Sequence, residues 1–508
     1  MTLRRVAVAE APPGWASTAV QHRTAEVVAR LSWGRGARPG PSQLGLPARF
    51  ALRAARAGDR EGARTVHVAA AAELTERALR WHRAAACGDE PLGLATLAGD
   101  YCLAQAAEAL SRFGDTEVES AFAAGLSRAG AELAHSGSAD RAVRQLLPAC
   151  GLAGASAAGH GAPRQASWWR LGRRLAPHLP ADTGPVPAAL ARLRSASDPL
   201  EGTLGLLLAA DPLLVAGPMA DLLSAGGKRI RARLMLLAGE LGGRYRPQAT
   251  LRAAAAMELL HAATLCHDDL VDGADSRRGT PTIAFRSGPM AALGVGDYYL
   301  GKSAWLVAQL GDPGISRSVA GALVAIANGQ LRELDRRSLW SGALAPYVQV
   351  AQAKTGALLV ACATTGARLS GAGRAETRAV VGFSRRLGLA FQGIDDCLDF
   401  SDPEHTGKPA GTDLAQGICG LPVLCGLRGP HRRQLLEALQ GMGEAGPAQA
   451  PQRQAEVVEL VRQSGALATA RSLADNWSME AVACLAPLAS SPRAGLRRFA
   501  EQLTLRDS

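Results

Sequence analysis

His267-Asp268-Asp269-Leu270-Val271-Asp272 runs at once into Asp275-Ser276-Arg277-Arg278-Gly279, and it has a counterpart in Gln392-Gly393-Ile394-Asp395-Asp396-Cys397-Leu398-Asp399. Each acidic trio ends a long Ala/Leu-rich stretch that reads as a buried helix. On a helix, residues i and i+4 share a face. Asp268 therefore points with Asp272, and Asp395 with Asp399, while Asp269 and Asp396 stand one step round. Clustered carboxylates repel one another and are rarely buried without partners. A lone trio would read as a solvated helix end. Two trios accompanied by basic residues call for cations between them. Oxygen donors suit a hard ion, and Mg2+ carrying diphosphate oxygens fits best.

The rest of the chain supports a helical setting. Aromatic residues make up 4% and charged residues 20% of the 508; Ala and Leu dominate, and Val/Ile alternation is scarce. That predicts an all-α protein, with two or three domains or one large domain and an extension. The net charge of +11 is almost wholly arginine, because only Lys228, Lys302, Lys354 and Lys408 are lysine. No aromatic-interleaved basic patch or helix-turn-helix pattern accompanies it, so nucleic acid is not an expected partner. Nine cysteines without CxxC spacing read as reduced core residues of a cytoplasmic protein. No signal-type segment opens the sequence. The most apolar window, near 204–223, is interrupted by Asp211, Pro212, Pro218 and Asp221 and is not expected to span a membrane.

Composition divides the chain. Residues 1–45 are rich in Pro, Gly and Arg and are expected to be poorly ordered. Loop-like stretches are expected at 151–168, around 180–200, at 402–412 and at 441–453. An internal repeat crosses these divisions. Glu73-Leu74 and His82 match Glu258-Leu259 and His267, and Gly99-Asp100-Tyr101 matches Gly296-Asp297-Tyr298. LLPACGLAGASAAG (146–159) resembles LLVACATTGARLSG (358–371), and RLG recurs at 170–172 and 386–388. The chemistry does not recur. Arg83 and Ala84 stand in place of Asp268 and Asp269, Ala142 in place of Lys354, and Leu179-Pro180 in place of Asp395-Asp396. The Glu-to-Gly interval is 26 residues in the first copy and 38 in the second. The expected organisation is a segment 1–45, a degenerate non-catalytic copy at 46–180, a linker at 181–195 and a catalytic domain at 196–508.

Basic residues surround the second copy. Gly226-Gly227-Lys228-Arg229-Ile230-Arg231 offers backbone amides and cations as an anion cradle. His261 lies two turns before Asp268 on the same face. Arg277 and Arg278 can direct two guanidinium forks at two phosphates. Lys354-Thr355 falls in an apolar helix, where an ammonium is costly unless it faces an anion. Gln392 precedes the second trio, and Lys408 lies in the loop after it. Three of the four lysines thus fall in site motifs, in a chain that otherwise uses arginine. The implied substrate is an apolar chain with a diphosphate head.

At these motifs, GGKRIR, ELLHAATLCHDDLVDGADSRRGTPT, GDYYL, AKTGALL, FQGIDDCLDF and GKPAGTDL, residues 196–508 resemble the trans-isoprenyl diphosphate synthases (polyprenyl synthetases). The resemblance implies an isoprenoid-synthase-type helical bundle around a central cavity. It implies Mg-dependent chain elongation by ionisation, condensation and elimination, giving geranylgeranyl or longer polyprenyl diphosphate. Asp268, Asp269, Asp272, Asp395, Asp396 and Asp399 would hold three Mg2+ and the allylic diphosphate. Arg277, Lys354 and Lys408 would contact that diphosphate. Lys228, Arg231, His261 and Arg278 would hold isopentenyl diphosphate, and Thr355 and Gln392 would line the reaction centre.

The sequence departs from the family pattern at Ile418 and Gly420, where a lysine and a threonine are usual, and at Ala232, where proline is usual. Ala263 and Thr264, just upstream of Asp268, are not bulky, which suggests a product of twenty carbons or more, with Leu260 and Met257 as further floors. A class I terpene cyclase would share the acidic trios but would not need the second set of basic residues. A non-catalytic partner would not need intact trios. The enzyme is expected as a homodimer or an intramolecular pseudo-dimer, with transient membrane contact when an apolar product leaves.

Overall fold

Alanine loses no side-chain entropy in a helix and lets neighbouring backbones approach closely. The computed structural model describes residues 48, 51, 63–159, 161–176, 186–244, 246–336, 340–401, 410–445 and 449–504. The expected disordered segment 1–45 and Lys408 lie outside the described residues. Among those described, the only strands form one two-residue hairpin, and the fold is all-α as expected.

The chain divides into two compact units. The first unites the described residues up to 236 with 246–324; the second unites 237–244 with those from 325 onward. In the first run α1 Ala63–Cys87, α2 Leu92–Phe113, α3 Thr116–Ser136, α4 Ala139–Arg144, α5 Leu147–Ala157, α6 Ala162–Leu175, α7 Ala188–Arg194, α8 Pro199–Ala209, α9 Leu213–Ser224, α10 Ile230–Ala238 and α11 Pro247–Val271. The hairpin β1 Ser276–Arg277 and β2 Thr280–Pro281 follows, then α12 Ile283–Ser287, α13 Pro289–Ala308 and α14 Pro313–Asp335. The unit boundaries fall inside α10 and α14.

Small residues set the packing of this unit. Helix α3 lies against α13 so closely that a Cβ on Gly130 would stand 2.4 Å from the Tyr298 nitrogen, and one on Gly294 2.6 Å from the Ala134 nitrogen. No larger side chain fits at that crossing. Helix α13 also packs on α11, and α2 packs on α1 and α11. The N-terminal helices α1, α2 and α3 are thus built into the same core as the first acidic trio. Buried Asp211 ties α13 to the end of α8, accepting hydrogen bonds from Tyr298 Oη (2.8 Å), Tyr299 Oη (3.0 Å) and the Lys302 ammonium. This accounts for the lysine that matched no site motif.

In the second unit α15 Leu344–Ala351 runs into one π turn, Gln352–Gly356, and on into α16 Ala357–Ser370. Then come α17 Arg374–Leu398, α18 Thr412–Ala415, α19 Leu421–Gly426, α20 Arg432–Glu444, α21 Ala450–Gln463, α22 Ala466–Ala483 and α23 Ser490–Thr504. Cys397 and Phe400, on either side of Asp399, belong to a core with Leu421, Leu435, Val457 and Val461, which fixes the acidic end of α17.

Several expected loops are corrected. The Ala/Gly/Ser stretch 151–168 is mostly helix: its small residues serve close packing, with Ala153 and Ala155 fully buried. The expected linker 181–195 contains α7, whose Leu190 and Leu193 are buried. Around the expected break at 441–453, α20 continues to Glu444 and α21 begins at Ala450. Cys87 is exposed and not a core residue. No described helix is long and apolar enough to cross a membrane.

Candidate active site

Helix α11 delivers Asp268, Asp269 and Asp272 at its C-terminal end. The structure divides this trio. Asp269 is buried and accepts from Arg277 at 2.7 Å (Nε) and 2.6 Å (Nη2), whereas Asp268 is half-buried and Asp272 exposed. The i, i+4 pair faces outward, and the intervening carboxylate is spent on the arginine. Burial would lower the Arg277 pKa, but its hydrogen bond to Asp269 and the charges of all three carboxylates raise it.

The hairpin separates the two guanidinium groups. Arg278 and Gly279 occupy its turn at φ 52° and 73°, the left-handed pair that a two-residue loop requires. Arg277 turns back to Asp269. Arg278 turns to the glycine loop, where a Cβ on Gly227 would meet its Nη1 at 2.9 Å. Arg229 in that loop also has positive φ, 46°. Backbone strain of this kind gathers where a loop presents groups to a ligand. Burial first, then the charges of Arg231, Arg278, Arg277 and Arg229, hold the His261 pKa well below 6.5. The guanidinium charges gathered around His261 make this a place suited to an anion. Sequence reasoning missed two residues that order this loop. Glu258, 4% exposed, accepts from the Ala232 backbone N–H at 3.1 Å, and Glu201 accepts from Arg229 Nε at 2.7 Å. Proline at 232 would have no N–H to give Glu258.

In the second unit, Asp396 is also buried and fully engaged. Its Oδ1 accepts from Gln392 Nε2 (2.8 Å), and its Oδ2 accepts from Tyr347 Oη (2.8 Å) and the Leu421 backbone N–H (2.8 Å). Thr355 donates to Gln392 Oε1 at 2.6 Å, so Thr355, Gln392, Asp396 and Tyr347 form one chain of hydrogen bonds. Asp395 and Asp399 share the other face and are half-buried. Asp399 accepts from the backbone N–H groups of Thr412 (3.0 Å) and Asp413 (3.1 Å). Lys354 sits on the π turn, a common marker of a functional position, and its ammonium bonds Glu333. Burial and then the charges of Asp399, Asp396 and Glu333 raise the Asp413 pKa well above 3.8, against the pull of Lys354. Glu333 and Tyr347 were missed because nothing in their local sequence marks them, whereas Asp413 lies inside the GKPAGTDL motif and could have been singled out there. The crowding of oxygen donors around Asp413 fits a divalent cation.

A third cluster joins the two copies. His267 Nδ1 donates to Asp100 Oδ1 at 2.6 Å, and its Nε2 faces the Leu293 carbonyl at 3.3 Å. His82 repeats the pattern, with Asp297 Oδ2 at 2.9 Å and the Thr96 carbonyl at 3.3 Å. The histidine of α1 thus meets the aspartate of α13 and the histidine of α11 that of α2, while His82 Nε2 also lies 3.5 Å from Asp100 Oδ1, and the rings stand 5.0 Å apart. A Cβ on Gly99 or Gly296 would fall 2.1 Å from the facing imidazole, so only glycine leaves room for these rings. His82, His267 and Asp297 are close enough to suggest a metal site. Rings that donate from both nitrogens, however, have no lone pair to offer a metal.

Known proteins share this architecture. A model of the polyprenyl synthetase family matches residues 213–457. Heptaprenyl diphosphate synthase component 2 of Geobacillus stearothermophilus is 33% identical over 287 residues, 56% of this chain and 88% of that protein. The chain belongs to the polyprenyl synthetase family. A second relative, nonaprenyl diphosphate synthase of Mycobacterium tuberculosis, is 33% identical over 55% of this chain and 82% of its own length. The crystal structure of a polyprenyl synthase from Caulobacter crescentus, complexed with calcium and isoprenyl diphosphate, matches with a TM-score of 0.56 and 31% identity, covering 65% of this chain and all of that one. The protein is therefore a prenyltransferase that elongates trans-prenyl chains. Its departure at Gly420 lies beside Asp396, whose Cγ would be 3.5 Å from a Cβ there. The hydroxyl of Tyr347 and the Leu421 N–H already satisfy that carboxylate.

Proposed function

We propose that this enzyme condenses isopentenyl diphosphate with an allylic diphosphate to give a product in the hepta- to nonaprenyl range. The observation that carries the reading is the presence, within one unit, of an outward-facing Asp268/Asp272 pair and of a second basic group, Arg278 turned to the Gly226-Gly227 loop with Arg231 and His261 nearby. A cyclase has no use for the second site. The length rests on the named products of the relatives and on the absence of bulk at Ala263 and Thr264.

Mg2+ is assigned to Asp268 and Asp272 and to Asp395 and Asp399, as three ions with the allylic diphosphate. Bound there, Mg2+ neutralises the diphosphate and makes it a leaving group. Asp269 and Asp396 orient their neighbours through Arg277 and through Gln392 and Tyr347. Arg277, Lys354 and Lys408 bind the allylic diphosphate; Lys228, Arg231, His261 and Arg278 bind isopentenyl diphosphate. Thr355 and Gln392, locked by Asp396, flank the reacting carbons. The allylic C–O bond breaks, the isopentenyl double bond attacks the freed carbon, and a proton leaves to the diphosphate. Residues 46–180 act as a degenerate companion domain, making the monomer an intramolecular pseudo-dimer. The enzyme works in the cytoplasm and touches a membrane only to release product.

The test is a product assay with Mg2+, labelled isopentenyl diphosphate and a farnesyl primer. Growth to thirty-five carbons or more, lost in Asp268→Ala and Asp395→Ala, is expected. Release of diphosphate from the primer without growth would replace this reading with cyclisation. A purified mass near 52.6 kDa in solution is expected for the pseudo-dimer.

A further inference from the structure

The last turn of α11 is unfavourable by itself. It carries Asp268, Asp269 and Asp272 at or beside a helix C-terminus, with no basic residue in that turn. Carboxylates at that end oppose the helix dipole, and Asp268 and Asp272 repel across i, i+4. Such a turn frays unless something outside the helix holds it. Arg277 restrains one side through Asp269. The other side is held by the N-terminal copy. Helix α2 runs along this turn and meets it at two points: Gly93, whose Cβ would lie 3.6 Å from the Val271 carbonyl, and Asp100, which accepts from His267 at 2.6 Å. His267 is directly bonded in sequence to Asp268. Its ring is fixed by Asp100, by the Leu293 carbonyl and by the face of Gly296. Asp100 lies outside the residues matched by the family model.

We propose that Asp100 is a positioning residue of the active site: acting through His267, it holds the last turn of α11 in the pose that presents Asp268 and Asp272. The non-catalytic copy is then part of the working site and not only an attached partner. This inference rests on the proposed assignment of Asp268 and Asp272 to the metal. Asp100 reaches both histidines, His267 at 2.6 Å and His82 at 3.5 Å, whereas Asp297 bonds His82 and so supplies an internal control. Asp297 makes the same kind of bond to His82, but His82 is followed by Arg83 and Ala84. Loss of either carboxylate disturbs the shared core; only loss of Asp100 disturbs an acidic turn.

The experiment uses the full chain. Mn2+ binding in the presence of inorganic pyrophosphate is followed by electron paramagnetic resonance, beside steady-state kinetics and Tm. Asp100→Asn is expected to weaken Mn2+ binding and raise the KM for the allylic diphosphate by about tenfold, with the KM for isopentenyl diphosphate little changed. Asp297→Asn should lower Tm comparably and leave both constants near wild type. Asp100→Glu, which keeps the charge on a longer stem, should show a loss of about threefold, and it decides the matter if Asp100→Asn does not fold. Wild-type Mn2+ binding in whichever Asp100 variant is folded, with only Tm reduced, would overturn the proposal. Asp268→Ala separates the two levels. If it leaves Mn2+ binding intact, the metal assignment is wrong. If it abolishes binding while the Asp100 variants bind normally, the positioning role is wrong.

Discussion

Helices α1 and α11 are both 25 residues long, and both carry a histidine near the C-terminal end that reaches into the other copy. Beyond that histidine they diverge. After α11 come Asp268, Asp269 and Asp272, the β1–β2 hairpin with its two arginines, and α12. After α1 come Arg83 and Ala84, and a turn of four residues leads straight into α2. The 12 additional residues in the second copy are accommodated in the hairpin and its neighbouring short helix, the parts that aim cations. Packing and chemistry have thus parted company. The interface of glycines and His–Asp pairs is two-sided, while the anion-binding equipment is on one side only. A helix pair without acidic residues at its end can still be required for the packing of one that has them.

The comparison can be broken most severely at the trio itself. Asp268→Ala should reduce elongation by about 10³-fold, equivalent to about 4 kcal/mol of transition-state stabilisation. Grafting acids onto the first copy, Arg83→Asp with Ala84→Asp, should yield no compensating turnover in that variant, since α1 has no hairpin to supply the facing guanidinium groups. Product analysis of the three-substitution protein checks both statements together. Next in size is the crossing of α3 and α13. Gly130→Leu would drive a side chain into the backbone at Tyr298, and overpacking of this kind costs about 3 kcal/mol, read as a lower Tm. The loss should appear without ligand, because the interface is structural.

Arg277→Ala sharpens the distinction between the two arginines. It leaves buried Asp269 without its guanidinium, a loss of about 2 kcal/mol for a charge-assisted pair. The KM for the allylic diphosphate should rise, whereas Arg278→Ala should raise the KM for isopentenyl diphosphate. Measuring both constants in both variants shows whether the forks serve separate anions. The smallest effect is on pH. Burial lowers the His82 pKa, but the carboxylates of Asp297 and Asp100 outweigh it and raise the ring from 6.5 to about 10. His267 is raised as well, and Asp100 is held below its usual 3.8. A raised histidine stabilises the fold fully below 6.5 and loses that contribution as the pH climbs towards 10. A lowered aspartate contributes above 3.8 and loses its effect as the pH falls below it. Tm should therefore decline between pH 6.5 and 10, and His82→Gln should show a flatter profile over that range.

Much of this was legible without coordinates. Two DDxxD trios on Ala/Leu helices, GGKRIR and the double arginine mark the reaction class, because together they are the set of motifs by which the chain resembles the polyprenyl synthetases. The alignment of His82 with His267 and of Gly99 with Gly296 was visible as well, and these four residues meet in one buried cluster. The stretch 151–168 reads as a loop because Ala, Gly and Ser look like loop composition until a close helix crossing gives their small size a purpose; the stretch around 180–200 reads as one because of its prolines, of which Pro187 caps α7 and Pro199 opens α8. The partners of the middle aspartates were out of reach for another reason. Spacing places Asp269 and Asp396 one step round the helix, but it does not say that Arg277, or Gln392, Tyr347 and Leu421, will be there to engage them.

The helical class and the reaction class were within reach of the amino-acid order, because they follow from local composition and from motifs of short span. Tertiary structure alone decided that Asp100 meets His267, that Asp297 meets His82, and that Glu333, Tyr347 and Asp413 join the second cluster. Those contacts join residues as much as 215 positions apart, and a hydrogen bond at such a separation leaves no periodic trace in either strand of sequence that makes it.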